Sequence, residues 1–424
     1  MRFLLRLIDP VVSFQENQPP SISLRPSVRA LVAAVLLTAP AGLPGAEISE
    51  RARRLHEEAF VFDGHVHMIT RQFYHGGNIG DRVQDGQVDL PRIKEGGVDA
   101  LCFTVYVTEK YYPPRYETRQ ALRLMDLALE QIEKNKDRIE LALNASEIER
   151  INRSGKIAAV LDLEGSADLD GDLGVLRDLY RLGLRVIQLP AHNWTSNYAD
   201  SCCAPPKWGG LNERGRALVR EMNRLGMMIN ISHASDQTVE QAIDLSTDPI
   251  VATHHGLRSL NDIPRNMPDG LMKKLAAKGG VIGFHIGNEF HNRPMFEWRT
   301  KQQKKAFWDT SAIGRKEAAL SIEEIDRIVA PEFPMVGMNP PDELMFSVDQ
   351  WIDVVDRAIQ IVGEDHVSLG SDFDGGPTPP RGMRDIRDLP MLTDAMLRRG
   401  YSESRIRKFL GGNLMRVFRQ VTER

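Results

Sequence analysis

The sequence predicts a closed (β/α)8 barrel of the TIM type, and three observations carry the prediction. Eight short runs are rich in Val, Ile and Leu, most are followed by a helix-like pattern, and most end on an ionisable residue. The runs are Phe60–His67, Ala100–Val107, Ile157–Glu164, Arg185–His192, Met227–His233, Pro249–His254, Gly280–His285 and His366–Asp372. Uninterrupted apolar runs suit parallel strands that are buried on both faces. Right-handed crossovers then bring all the C-terminal strand ends to one face of the barrel. A doubly wound open sheet shares the alternation, but it needs a crevice at a switch point and no GxGxxG fingerprint supports it.

The segments between the runs fit the same plan. Glu117–Lys134 carries Leu122, Met125, Leu129 and Ile132 at spacings of three and four, the signature of an amphipathic helix. Leu211–Leu225 and Val348–Ile361 present similar faces. Asp236 and Ser402 are read as the N-caps of helices Gln237–Leu245 and Glu403–Phe418. Residues 286–347, between the seventh run and its helix, form an insertion about twice the ordinary length, with Trp298, Lys301, Lys304, Lys305, Phe307, Trp308 and the Pro-rich piece Pro331–Pro341. Strand-to-helix loops build the active face, so the insertion reads as a lid or a partner contact, with a decorative loop as the bland alternative.

Composition excludes several classes. The 424 residues are 42% hydrophobic and 26% charged with a net charge of -4, which is ordinary for a globular chain. That balance gives no electrostatic case for nucleic acid or an anionic membrane, which leaves small-molecule chemistry. Residues 1–46 read as a signal peptide with an N-terminal extension. Arg25 and Arg29 precede the apolar run Ala30–Leu37, and small residues follow, with cleavage after Ala41 or Ala46. The run is too short for a stable membrane span, so a secreted or periplasmic location is expected, with residues 47–424 as a single barrel domain. Three cysteines exclude a dense disulfide framework, and adjacent Cys202 and Cys203 are either a vicinal disulfide or two thiols.

The strand ends carry the chemistry. A lone His at a strand end is ordinarily structural, but six of the chain's 11 His fall at these ends, where a barrel makes them converge. His65 and His67 are two apart on one strand, so they face the same way and can share one metal. Glu164 can bridge two metals about 3.5–4 Å apart, with His233 and His254 completing the second site. Imidazole and carboxylate without thiolate favour zinc, with manganese or cobalt as substitutes, and the metals would lower the pKa of a bridging water.

Several ordered segments resemble the membrane dipeptidase (renal dipeptidase) family of the amidohydrolase superfamily. They are Phe62-Asp63-Gly64-His65, Leu163-Glu164-Gly165, Leu189-Pro190-Ala191-His192-Asn193 with Tyr198-Ala199-Asp200-Ser201, Asn230-Ile231-Ser232-His233-Ala234-Ser235, Ala252-Thr253-His254, Pro264-Arg265-Asn266-Met267-Pro268-Asp269 and Gly370-Ser371-Asp372-Phe373-Asp374-Gly375. The resemblance spans most of residues 60–415. It implies a metal-dependent hydrolase with two Zn2+ per chain, held by His65, Glu164, His233 and His254 and bridged by Glu164. A bridging hydroxide would attack the peptide carbonyl of a dipeptide, and D-residues at the C-terminal position are an open question. His192 would bind the carbonyl or oxyanion, Arg265 the terminal carboxylate, and Asp372 would shuttle the proton. Asp374 competes for the last role, and Asp372 is preferred because it comes directly off the strand. The resemblance also implies a homodimer.

One position departs from the family. Where the family usually has Asp, two residues after the first His, this chain has His67. The wider superfamily uses His-x-His there, so His67 is kept as a ligand, with one negative charge fewer and a lower water pKa expected. Two rivals stay open: an amidohydrolase acting on N-acyl amino acids or another small amide or lactone, and a non-catalytic periplasmic barrel.

Overall fold

The computed structural model describes residues 48–112, 115–303 and 317–423. The expected signal segment, residues 1–46, lies outside them, as do Lys304, Lys305, Phe307 and Trp308 of the insertion. Among the described residues, nine parallel strands form one sheet: β1 Phe62–Val66, β2 Ala100–Val105, β3 Ile139–Leu141, β4 Ile157–Leu163, β5 Leu184–Gln188, β6 Met228–Asn230, β7 Val251–His255, β8 Val281–Phe284 and β9 Val367–Leu369. Eight of them run in the order β1-β2-β4-β5-β6-β7-β8-β9, and these are the eight expected runs. The ninth, β3, pairs only with β4. Its three residues, Ile139-Glu140-Leu141, are too short to show a pattern in the sequence.

The barrel is nearly closed by contacts just beyond β9. Asp372 donates its backbone N–H to His65 O at 2.9 Å, and His67 donates to Phe373 O at 3.0 Å. These bonds tie two site-bearing segments, one from each end of the sheet, into one rim.

Alternation along β4 separates core from site. Ala158, Val160, Asp162 and Glu164 share one face. Ala158 and Val160 join a buried cluster with Phe62, Cys102, Met228 and Val281 from other strands. Leu414, Val417, Phe418 and Val421 of the last helix, Asn413–Thr422, belong to the same cluster. The polar pair Asp162 and Glu164 lies further along the strand, toward its C-terminal end. One strand thus supplies both an apolar core and the carboxylates above it.

Two helix readings change in detail. Ser235, not Asp236, caps helix Asp236–Leu245, because its Oγ accepts the Thr238 N–H at 3.2 Å. Asp236 instead pairs with Arg258 at 2.5 Å. Ser402 is the cap expected, but helix Glu403–Arg407 passes through a wide turn, Lys408–Gly412, before the last helix begins. A Cβ on Gly411 would meet Phe60 O at 2.5 Å, so this close approach to the chain before β1 requires glycine. Helices Glu117–Lys134, Glu213–Leu225 and Val348–Val362 form where the periodicity placed them.

Cys202 and Cys203 are joined in a disulfide, and Cys102 is free and buried. Among the described residues, no helix is long and apolar enough to cross a membrane.

Candidate active site

The sequence-predicted metal-site residues meet at the C-terminal end of the barrel, grouped about Glu164. Its Oε2 lies 3.4 Å from His65 Nε2 and 3.2 Å from His67 Nε2. Its Oε1 lies 3.3 Å from His233 Nε2 and 3.6 Å from His254 Nε2. One carboxylate therefore divides its two oxygens between two pairs of imidazoles. All five side chains are buried.

The far sides of the rings are held as well. His65 Nδ1 sits 3.0 Å from Asp162 Oδ2 and 3.2 Å from Thr104 Oγ1. His233 Nδ1 is 3.0 Å from Asn193 Oδ1, and His254 Nδ1 is 3.0 Å from Thr253 Oγ1. His192, His233 and Asp372 adopt left-handed backbone with φ of 50°, 60° and 62°. Non-glycine residues in that region cost on the order of 1–3 kcal/mol each, and such strain gathers where function fixes a side chain's direction.

Electrostatics in the cluster turn on burial against pairing. Burial pulls His65 down, yet Glu164 and Asp162 bring it to about 10. His67 behaves alike: Asp372 and Glu164 outweigh burial and bring it to about 9. His233 and His254 stay well below the ordinary range through burial first, then neighbouring positive charge. Burial would raise Glu164, but the imidazoles hold it well below the usual carboxylate range. A buried pocket that draws protons onto two imidazoles demands positive charge.

Divalent cations satisfy that demand, and the residues fit them. His65 Nε2, Glu164 Oε2 and Asp372 Oδ1 are buried and, among the described residues, have no hydrogen-bond partner. Three groups hold ligand-type atoms within 4.8 Å of one another: His65, Glu164 and His254; His65, His67 and Asp372; and Glu164, His192 and His233. The orienting partners on the outer ring nitrogens are those that metal-bound His residues use to fix tautomer and direction.

The other three expected residues have distinct settings. Asp372 stands between His67 Nε2, 3.0 Å from its Oδ1, and His285 Nε2, 2.8 Å from its Oδ2. Gly287 donates its N–H to His285 Nδ1 at 2.8 Å, so the His285 proton sits on Nε2 and points at Asp372. Asp374 turns away, accepting the Gln87 N–H at 2.6 Å, and burial pushes it up to about 7. His192 Nδ1 is 2.6 Å from Glu109 Oε1, and its Nε2 lies 3.5 Å from Asn193 Nδ2. Burial alone would lower His192, but Glu109 reverses the direction. Arg265 is fully buried, and its Nη2 donates to His254 O at 2.8 Å. Burial lowers it to about 10, which leaves it charged at neutral pH.

A narrow cleft opens onto this cluster, lined by His67, Tyr106, Glu164, His192, His233, His285 and Asp372 among others. Arg265 is not part of its lining, whereas Glu289, Phe290, Arg299 and Met335 of the insertion are. Asp162, Glu109, Tyr106 and His285 have no role assigned from the sequence alone. Asp162 carried the same signal as His67, an ionisable residue two positions from a predicted ligand. His285 was visible as a strand end without a function. Glu109 lies two residues past its run, and nothing local marks it.

The chain is similar to known proteins over most of its length. The family model for membrane dipeptidases, peptidase family M19, matches residues 49–424. Dipeptidase tcpJ of Claviceps purpurea is 31% identical over 382 residues, covering 85% of this chain and 77% of the relative. Dipeptidase 3 of Rattus norvegicus is 28% identical over 397 residues, covering 89% and 68%. The probable dipeptidase PvdM from Pseudomonas aeruginosa superposes with a TM-score of 0.73 over 88% of this chain and 98% of its own, at 24% identity, a likeness of fold. A metallo peptidase from Rhodobacter sphaeroides, solved with a phosphinate mimic of the dipeptide L-Ala-D-Ala, gives a TM-score of 0.67 at 25% identity over 86% and 99%. The chain belongs to the membrane dipeptidase family, peptidase family M19, and is a peptide-bond hydrolase on a parallel (β/α)8 barrel.

Proposed function

We propose that the chain is a two-zinc dipeptidase in which His65, His67 and Glu164 hold one ion and Glu164, His233 and His254 the other. The observation that carries this reading is the division of Glu164, with Oε2 toward His65 and His67 and Oε1 toward His233 and His254. Nitrogen and oxygen donors without thiolate support zinc. When bound, the metal pair would polarise the scissile carbonyl and lower the pKa of a water between the ions.

The chain's own groups supply the remaining steps. His192, anchored on Glu109, donates a hydrogen bond to the carbonyl oxygen as negative charge develops there. Asp372, held on its outer side by His285, takes a proton from the attacking water and delivers it to the leaving amine nitrogen. Arg265 pairs with the substrate's terminal carboxylate, a match for its planar fork. A carboxylate placed one residue beyond the scissile bond favours dipeptides over longer peptides. The insertion, residues 286–347, acts as a lid, and four of its residues lining the cleft support this.

Acceptance of a D-residue at the C-terminal position is part of the proposal. It is supported by the L-Ala-D-Ala mimic bound to the Rhodobacter sphaeroides relative. We also propose export through residues 1–46, a single catalytic domain over 47–424 and a homodimer. A dipeptide library with L- and D-residues at the C-terminal position, assayed beside zinc content, tests the reading. Zinc-dependent release of free amino acids is expected. Turnover of N-acyl amino acids with none of dipeptides would replace it with the amidohydrolase alternative.

A further inference from the structure

We propose that Phe290 is a specificity-determining residue whose ring walls the C-terminal end of the cleft over Arg265 and restricts substrates to small C-terminal side chains. The inference rests on the reading in which Arg265 receives the substrate carboxylate, and it assigns to the insertion a role in choosing what arrives there.

Arg265 is a costly residue as it stands. It is fully buried, spends Nη2 on His254 O, and its Nε and Nη1 have no hydrogen-bond partner among the described residues. Unpaired donors on a buried cation are costly unless an anion comes to them. The cleft does not reach them directly. Phe290 lines the cleft where Arg265 does not, and the guanidinium carbon lies 5.4 Å from the centre of its ring. The phenyl group is therefore the surface a substrate meets before the cation.

That ring is fixed from several directions. The His285 imidazole stacks on it, with centroids 3.7 Å apart and planes at 18°. Its backbone carbonyl accepts from Asn266 Nδ2 at 2.7 Å and Asn261 Nδ2 at 3.4 Å. Asn266 follows Arg265 in the chain, so two adjacent residues divide the work: one offers the charge and the next clamps the wall beside it. A carboxylate bound to Arg265 passes along the ring, and a larger side chain on the same residue competes with the phenyl group for space. Contacts of this kind discriminate by about 10–200-fold per methylene.

The test uses the zinc-loaded full chain and its Phe290→Ala and Phe290→Leu variants. Substrates are Ala-Gly, Ala-Leu, Ala-Phe and the C-terminal amide of Ala-Gly. The ratio of kcat/KM for Ala-Phe to that for Ala-Gly is expected to rise at least about tenfold in Phe290→Ala, mainly through KM, and less in Phe290→Leu. A ratio between two substrates on one preparation is independent of the fraction folded, and the Leu variant carries the test if the Ala variant does not fold. An unchanged ratio in the folded variants overturns the proposal, as does an equal loss on every substrate. The amide arm is separate. If the wild type cleaves the amide as well as the acid, the Arg265 reading fails, whatever the ratio shows.

Discussion

Asp372→Asn exchanges one carboxylate oxygen for an amide nitrogen of nearly the same size. The surroundings limit what else can change. His285 Nε2–H points at Asp372 Oδ2 from 2.8 Å, its tautomer fixed by the Gly287 N–H on Nδ1, so the remaining oxygen of Asn must face His285. The amide nitrogen then faces His67, 3.0 Å from the atom it replaces, and cannot take a proton there. Positioned acid–base groups contribute about 10²–10⁴-fold, so kcat should fall by that factor, or about 3–5.5 kcal/mol of barrier. Initial rates of amino-acid release give kcat and KM, and elemental analysis of the same sample gives zinc per chain. The expected result is a large loss in kcat with zinc at the wild-type level and a small change in KM. Turnover above about a tenth of wild type would refute the proton-transfer role. Loss of zinc together with activity would make Asp372 a ligand, a role its grouping with His65 and His67 brings within reach.

Three further outcomes are expected. Asp162→Leu removes the carboxylate that orients His65 and should weaken zinc binding about 10–100-fold in a chelator competition, with Asp162→Asn falling between; equal affinity in all three would deny Asp162 that role. His56 is buried with Nε2 on Gly96 O and Nδ1 on Thr393 Oγ1, and burial lowers it to about 4 from 6.5. The unfolded chain takes up this proton first, so stability falls as pH drops from about 6.5 to about 4, by roughly 3 kcal/mol in all. Denaturant unfolding across that window should show His56→Gln losing less, and parallel curves would contradict the assignment. His67→Asp restores a negative charge at the first metal site and should move the acidic limb of the pH–rate profile to higher pH. Superimposable profiles would show that the charge at position 67 does not set the water's pKa.

The barrel was legible in the sequence because strands buried on both faces must be continuously apolar, and all eight such runs are strands of the barrel path. Glu164 and the four His about it were legible because strand ends converge in such a fold and residues two apart share a face. What stayed hidden depends on tertiary approach. Glu109 becomes a partner of His192 only when the loop after β2 meets the loop after β5. Arg265 was expected to receive a substrate carboxylate, and that Phe290, six residues past β8, lines the cleft in its place depends on the packing of the loops after β7 and β8. Asp236 was read as a cap because Ser and Asp are adjacent there and both are good caps. The extra strand β3 is only three residues long, and its pairing with β4 defines it.

Glu164 is proposed to join two metal sites. Zinc per chain in the purified wild type and in Glu164→Ala, measured beside dipeptide turnover, tests it most directly. About two zinc ions per wild-type chain, fewer than one firmly held in the variant, and no turnover without Glu164 are expected. A wild type active with a single ion, or a Glu164→Ala chain that keeps two, would contradict it.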